Sequence, residues 1–168
     1  MTALFVSPKY IKRKSIIDGD LDSDKIIQFI ETAQDIHIQN YLGTNLYNKI
    51  QGLIINNTIN NGENVNYKTL LDEYIKPMLA WYVQSEYIPF AAYTISNGGV
   101  YRHRSDNSES VSVSEIAGLA NRASDKAMFY TNRFLDHMSF NSELYPEYVS
   151  STEGLYPDRD SGNISWVL

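Results

Sequence analysis

The sequence of 168 residues contains no cysteine, which excludes disulfides, thiolate zinc sites and cysteine nucleophiles, and fits a reducing compartment. Histidine is scarce. His37, His103 and His137 have no partner at the H-x-x-x-H or H-E-x-x-H spacing that puts two ligands on one helical face, so no metal site is expected. Apolar runs long enough to span a membrane are missing. The opening "MTALFVSPKYIKRKS" places its charges after a short apolar run, the reverse of a secretory signal, so a soluble chain without membrane contact is expected. Gly98-Gly99 sits in neither the G-x-x-x-x-G-K-[ST] nor the G-x-G-x-x-G frame, and no G-x-S-x-G elbow occurs. Neither an enzyme nor a cofactor is expected. "DGDLDSD", Asp18 to Asp24, alternates carboxylates like the front of a calcium loop. Ser23 and Phe29 stand where such a loop needs glycine and a bidentate glutamate, so these carboxylates are expected to cap a helix.

What is present is globular in character. Hydrophobic residues make up 43% and charged ones 20%, with 13 Tyr and 6 Phe, enough for one core in one domain. The net charge of -6 disfavours attraction to free DNA or to an anionic membrane, except through a local basic patch.

Helical periodicity dominates. Asp22 is placed to cap a helix starting near Ser23, with Leu21 stapled onto Ile26. Ile26, Phe29, Ile30, Ala33 and Ile36 form its apolar face, with His37 at the edge of that face. Gly43 predicts a left-handed stop, and Thr44 the cap of a second helix carrying Leu46, Tyr47, Ile50, Leu53 and Ile54. Asparagine-rich "NNTINNGENVN", Asn56 to Asn66, reads as a surface loop. Between Tyr67 and Ala92, Leu71, Tyr74, Ile75, Met78, Tyr82 and Ser85 share a face, and Pro77 and Pro89 predict a kinked or broken helix. Ser112 with Glu115 forms a capping box for a helix from about Val113 to Ser139, whose stripe of Ile116, Leu119, Ala123, Ala127, Tyr130, Phe134 and Met138 marks it as the central core helix. His137, near its end, suits the helix dipole as a cation.

The expected fold is mainly α, a compact bundle of about four helices with a long loop or short β-ribbon between the last two and an extended C-terminal tail. The helical domain covers 1–140, including the loop 94–113, and the docking tail covers 141–168. Alternation in "GVYRHR" and "SVSVS" allows these two segments to pair as a ribbon, with Arg102 and Arg104 on one side and Tyr101 and His103 on the other. The tail carries Tyr145, Tyr148, Val149, Tyr156, Ile164, Trp166 and Val167, too many large apolar groups for a solvated end. Two readings stand side by side: "NISWVL" docks on a neighbour by strand addition, or the tail folds back on its own core.

Two basic features remain. "KYIKRK", Lys9 to Lys14, reads either as a phosphate-contacting patch or as a solvated segment offset by the aspartates that follow. Arg122, Lys126 and Arg133 share a helical face with Phe129, flanked by Asp125 and Asp136, and this face is either solvated or in contact with an acidic neighbour.

"IIDGDLDSDKIIQFIETAQDIHIQNYLGTNLYNKI" resembles the opening of the small helical head-to-tail connector proteins of tailed phages, in which a first helix leads through an "LG..LY" corner into a second. "SNGGVYRHRSDNSESVSVSEIAGLANRASDKAMFYTNRFLDHMSFNSELYPEY" is similar to the second half of connector-like proteins from phages of gut Bacteroidales, including the crAss-like group. The likeness covers roughly Ser15 to Tyr148 and rests on hydrophobic spacing plus Leu42-Gly43, Leu46-Tyr47, Gly98-Gly99 and Tyr145-Pro146. It implies a structural virion protein at the head-tail interface, assembled in the bacterial host cytoplasm. Such a protein forms a dodecameric ring below the portal, contacts portal and other neck or tail rings, and lets genomic double-stranded DNA pass without specific binding. No catalytic residues come with it. On this reading Tyr101, Arg102, His103, Arg104, Arg122, Lys126, Arg133, Ile164, Trp166, Val167 and Leu168 are candidate contacts to neighbouring subunits or portal. The competing expectation is a helical nucleic-acid-binding module acting through the two basic features.

Overall fold

Helix α1, Pro8–Lys14, starts on Ser7, whose hydroxyl accepts from the Tyr10 N–H, with proline at the first helical position where no donor is lost. Helix α2, Ser23–Ala33, starts on Asp22 as expected, its carboxylate accepting from Asp24 N. Ile26, Ile30 and Ala33 then turn inward. The computed structural model describes residues 2–17, 22–91, 93–96, 99–102, 112–150 and 154–160, with backbone alone for 93–96 and 99–102. The expected staple from Leu21 lies outside them.

After Ala33 the regular period fails. A π-helical turn, Gln34–Ile38, joins α2 to α3, Gln39–Ile55. Its extra residue places the next buried apolar side chain at Ile38, five positions after Ala33, and leaves Ile36 57% exposed. The expectation for Ile36 is thus corrected by the local change of pitch. Gly43 breaks α3 with φ 72° and ψ 161°. The positive φ is as expected, but the ψ is extended and not left-handed helical, so the chain makes a sharp corner there instead of a helix cap. Helix resumes early in the asparagine-rich stretch: a 3-10 turn at Gly62–Asn64 leads into α4, Val65–Thr69. The loop is shorter than the sequence suggests.

A second π-helical turn, Leu70–Ile75, links α4 to α5, Lys76–Ala91. It lies directly before Pro77, where the wider coil relieves the clash between a proline ring and the carbonyl four residues back. Helical backbone therefore runs unbroken from Val65 to Ala91, with Pro89 confined to the last turns. Leu70, Ile75, Met78, Leu79 and Val83 are fully buried, each contributing about 1.5–3 kcal/mol relative to exposure. Because buried residues surround its axis, α5 is the central helix.

Strands β1, Tyr93–Ser96, and β2, Gly99–Arg102, pair antiparallel, with Tyr93 opposite Arg102 and Ser96 opposite Gly99. The segment "GVYR" therefore pairs with "YTIS" and not with "SVSVS". Val113 and Ser114 are helical instead, drawn into α6, Val113–Asn141, by the capping box in which the Ser112 hydroxyl accepts from Glu115 N and the Glu115 carboxylate from Ser112 N. Along α6 one side is buried, through Ala123, Ala127, Thr131, Phe134, Leu135 and Met138, and packs on α5. Leu119 is exposed. The long helix is a flank of the core, contrary to the expectation that it lies at the centre.

The N-terminal segment is bound by polar groups that helix periodicity does not reveal. Gln34 is fully buried, accepts from Phe5 N at 2.8 Å and donates to Ala3 O and to the Tyr47 hydroxyl. Gln51 holds Ala3 by both its N–H and C=O, and Gln84 accepts from Ile16 N. These glutamines satisfy backbone groups that would otherwise be buried unpaired, which lets Phe5 and Val6 join the core. At the other end a 3-10 turn, Ser142–Leu144, and α7, Pro146–Val149, bury Tyr145 and Tyr148.

Candidate interaction surface

The outer stripe of α6 brings together the residues that the sequence placed on one face. Arg122, Lys126, Phe129 and Arg133 follow at steps of four, three and four, and all are exposed. Phe140 continues the stripe, 87% exposed, and Phe129 is 60% exposed. The cations lie over rings. Lys126 Nζ stands 4.3 Å from the centroid of Trp81 on α5, and the Arg133 guanidinium lies 5.9 Å from Tyr74 and 5.8 Å from Tyr130. Each such contact contributes about 0.5–1 kcal/mol at an exposed site and holds its side chain in place, giving a pre-ordered surface. Phe140, Trp81 and Tyr74 were not singled out as surface contacts. Phe140 was findable, lying eleven residues beyond Phe129 and seven beyond Arg133, the spacings of one helical face.

At the foot of the stripe, Tyr74, Arg133, Asp136, His137, Phe140 and Asn141 line an open groove of ≈ 360 Å³. His137 stacks on Tyr74 at 4.2 Å. Its Nε2 lies 3.3 Å from the Tyr145 oxygen, whose proton goes to Asn66 O, while Asn141 Nδ2 approaches Nδ1 at 3.4 Å. That network fits a neutral ring protonated at Nε2, a tautomer assigned from its partners. Burial pushes the His137 pKa below its ordinary value, with Glu73 opposing. The expectation of a cation serving the helix dipole is corrected: desolvation prevails. Burial likewise pushes Tyr145 up to about 12, so its hydroxyl stays protonated.

A second site forms where the tail crosses the Gly43 corner. The break at Gly43 exposes backbone groups, and residues 155–158 use them: Thr44 N donates to Leu155 O at 3.0 Å and Asp158 N to Asn40 O at 2.9 Å. The Thr44 hydroxyl accepts from Leu155 N at 2.9 Å, so it serves the tail. A Cβ on Gly43 would meet Pro157 at 2.7 Å, and one on Gly154, φ 81°, would meet the Thr44 hydroxyl at 2.4 Å. Arg159 closes this region, donating to Tyr148 O and lying over the rings of Tyr148 and Tyr156. Tail residues 154–160 thus lie on their own chain. Ile164, Trp166, Val167 and Leu168 are outside the described residues, as are His103 and Arg104. The side chains of Tyr101 and Arg102 are not described either.

In α1, Ile11 is buried while Lys9, Arg13 and Lys14 are exposed and, with Ser7 and Tyr10, edge a shallow hollow of ≈ 290 Å³. Among the described residues no group of three or more His, Asp or Glu is placed to hold a metal ion, and no helix is long and apolar enough to cross a membrane.

A family model matches residues 38–157, from the end of the first π turn to the proline that covers Gly43. The chain belongs to a family of unknown function, DUF6712. No curated protein and no solved structure matches it. The matched span contains the Gly43 corner, the buried α5 and the whole of α6.

Proposed function

We propose that this DUF6712 chain is a structural subunit of a phage neck, forming a ring below the portal that joins capsid to tail and extends the DNA channel. The observation that carries the reading is the α6 stripe: a helix whose inner side is already packed keeps Phe129 and Phe140 on its outer side, fixed among ordered cations. A monomer gains nothing from holding large aromatics in water, whereas a subunit with neighbours covers them. The resemblance to connector proteins at Leu42-Gly43, Leu46-Tyr47 and Tyr145-Pro146 supports the same conclusion, since those residues build the corner and the tail anchor. A net charge of -6 suits a channel that must release DNA, because phosphate-neutralising contacts retain it. In this reading the ribbon and the last residues, Gly162 to Leu168, reach portal or a neighbouring subunit.

Electron microscopy of the protein alone and with the portal of its phage tests the proposal. Closed rings are expected, and a chain that stays monomeric and ignores portal at high concentration removes it. The exposed Lys9, Arg13 and Lys14 favour a second reading, a DNA-binding module. It requires affinity for free duplex that falls steeply with salt, and the ring reading requires little binding at any salt.

A further inference from the structure

Helices α2 and α6 both pack on α5, and no substantial packing joins them to each other. They use opposite sides of it. Trp81 receives Lys126 of α6, and Phe90 packs against Phe29 of α2 at 5.8 Å. Trp81 and Phe90 are nine residues apart, which is two and a half helical turns, so they point in opposite directions from the α5 axis. The outward faces of α2 and α6 therefore lie on two different flanks of the subunit.

Those faces are complementary. On α2, Asp24, Gln28 and Glu31, followed by Asp35 in the π turn, are exposed and point away from buried Ile26, Ile30 and Ala33. On α6, Arg122, Lys126, Phe129 and Arg133 do the same at the same residue spacing. One stripe is acidic, the other cationic, and each is flanked by the opposite sign, Lys25 beside the first and Asp125 and Asp136 beside the second. Exposed Ile36, turned outward by the π pitch, gives the acidic stripe an apolar group to meet the α6 aromatics.

We propose that the two stripes are the two halves of one head-to-tail contact, in which α6 of one copy packs on α2 of the next. The occupant of each stripe is a second copy of this chain, and two different surfaces on two flanks give a heterologous contact that propagates until it closes. The proposal rests on the ring reading and adds to it which faces meet. Opposite charge sets the register, and the aromatics supply the apolar centre.

The absence of cysteine makes the test clean. Chains carrying Gln28→Cys or Asp125→Cys, positions in the α2 stripe and beside the α6 stripe that leave Phe129 in place, are oxidised each alone and as an equal mixture, then run without reductant. A covalent dimer is expected from the mixture and little from either chain alone, whereas equal cross-linking of the Asp125→Cys chain with itself would mean a two-fold contact and overturn the proposal. Charge reversal gives the second arm. Arg122→Glu with Arg133→Glu, and separately Asp24→Lys with Glu31→Lys, should each weaken self-association about tenfold or more, and mixing the two reversed chains should restore it. Circular dichroism on each reversed chain checks that the fold is kept. Rings that form in the wild type and persist in both reversed chains leave the ring reading standing and remove this contact. A wild-type chain that never associates removes both.

Discussion

Helices α5 and α6 lie side by side and share the largest packing seam in the molecule, yet they solve different problems. Helix α5 buries Met78, Leu79, Ala80, Tyr82, Val83, Gln84 and Ile88 all round its axis, with Phe90 exposed in its last turn. Helix α6 is divided, with small Ala123 and Ala127 letting it approach α5 on one side and Phe129 and Phe140 standing in solvent on the other. The outer aromatics of α6 are thus not the overflow of a crowded core. A separate surface has been built onto a helix whose folding role is already met, and substitutions should separate the two roles.

The largest effect is expected at the seam. Phe134→Ala removes a fully buried ring and should cost about 3–5 kcal/mol in urea denaturation. A cost under about 1 kcal/mol would mean that α6 is held by something other than its inner side. Next comes the buried polar frame. Gln34→Ala leaves Phe5 N–H without its side-chain partner and removes one of the two donors to Ala3 C=O, Gln51 keeping the other, and should cost about 1–3 kcal/mol and expose the N-terminal segment to protease. Gly43→Ala follows, at about 1–3 kcal/mol, since a Cβ at positive φ is strained and collides with Pro157. It should release residues 154–160, seen as faster amide exchange at Thr44 and Asp158, while the α5–α6 seam stays protected. Loss of protection throughout would show the tail to be part of the core's cooperative unit.

Much of this division was legible in the sequence, and the failures have a common cause. Caps depend on a few adjacent residues, so Asp22, Ser7 and the Ser112–Glu115 box act locally, and of the three caps predicted from sequence Asp22 and the box form as expected, while the Thr44 hydroxyl accepts from Leu155 N instead. The outer stripe was legible because Arg122, Lys126, Phe129 and Arg133 keep the period of an undistorted helix. Where the period changes, extrapolation fails: the π turns at Gln34–Ile38 and Leu70–Ile75 each insert a residue, which reverses Ile36 and lets α5 run on through Pro77. Buried glutamines were illegible for another reason. Nothing in the sequence around Gln34, Gln51 or Gln84 says that a distant strand of backbone will need them. The central position of α5 was visible in its apolar residues at every angle, but the two prolines drew the reading toward a break.

A smaller effect tests the groove between the two helices' ends. In the folded chain the His137 imidazole is held neutral by burial, whereas in the unfolded chain it titrates near its ordinary value of about 6.5. Above that pH both states are neutral and no penalty exists. As pH falls through about 6.5 the unfolded state takes up a proton that the folded state refuses, so stability declines until the lowered folded pKa is reached and then levels. His137→Phe, which keeps the ring against Tyr74, should flatten this part of the profile of stability against pH. An unchanged slope would assign the acid sensitivity to other groups and open the His137 ring to solvent in the folded state.

The smallest expected change in stability is the most informative. Phe129 is mostly in solvent, and among the described residues its ring meets Tyr130 edge-on at 5.4 Å. Phe129→Ala should therefore shift the urea midpoint by no more than about 0.5 kcal/mol. The same truncation should strongly reduce association, because an aromatic at the centre of a charged stripe is where a contact gains most from excluding water. Sedimentation of wild type and variant at equal concentration makes the comparison directly. Equal stability with lost association separates the outer face of α6 from its inner face. Lost stability with unchanged association would return Phe129 to the core and remove the outer stripe of α6 as the seat of the contact.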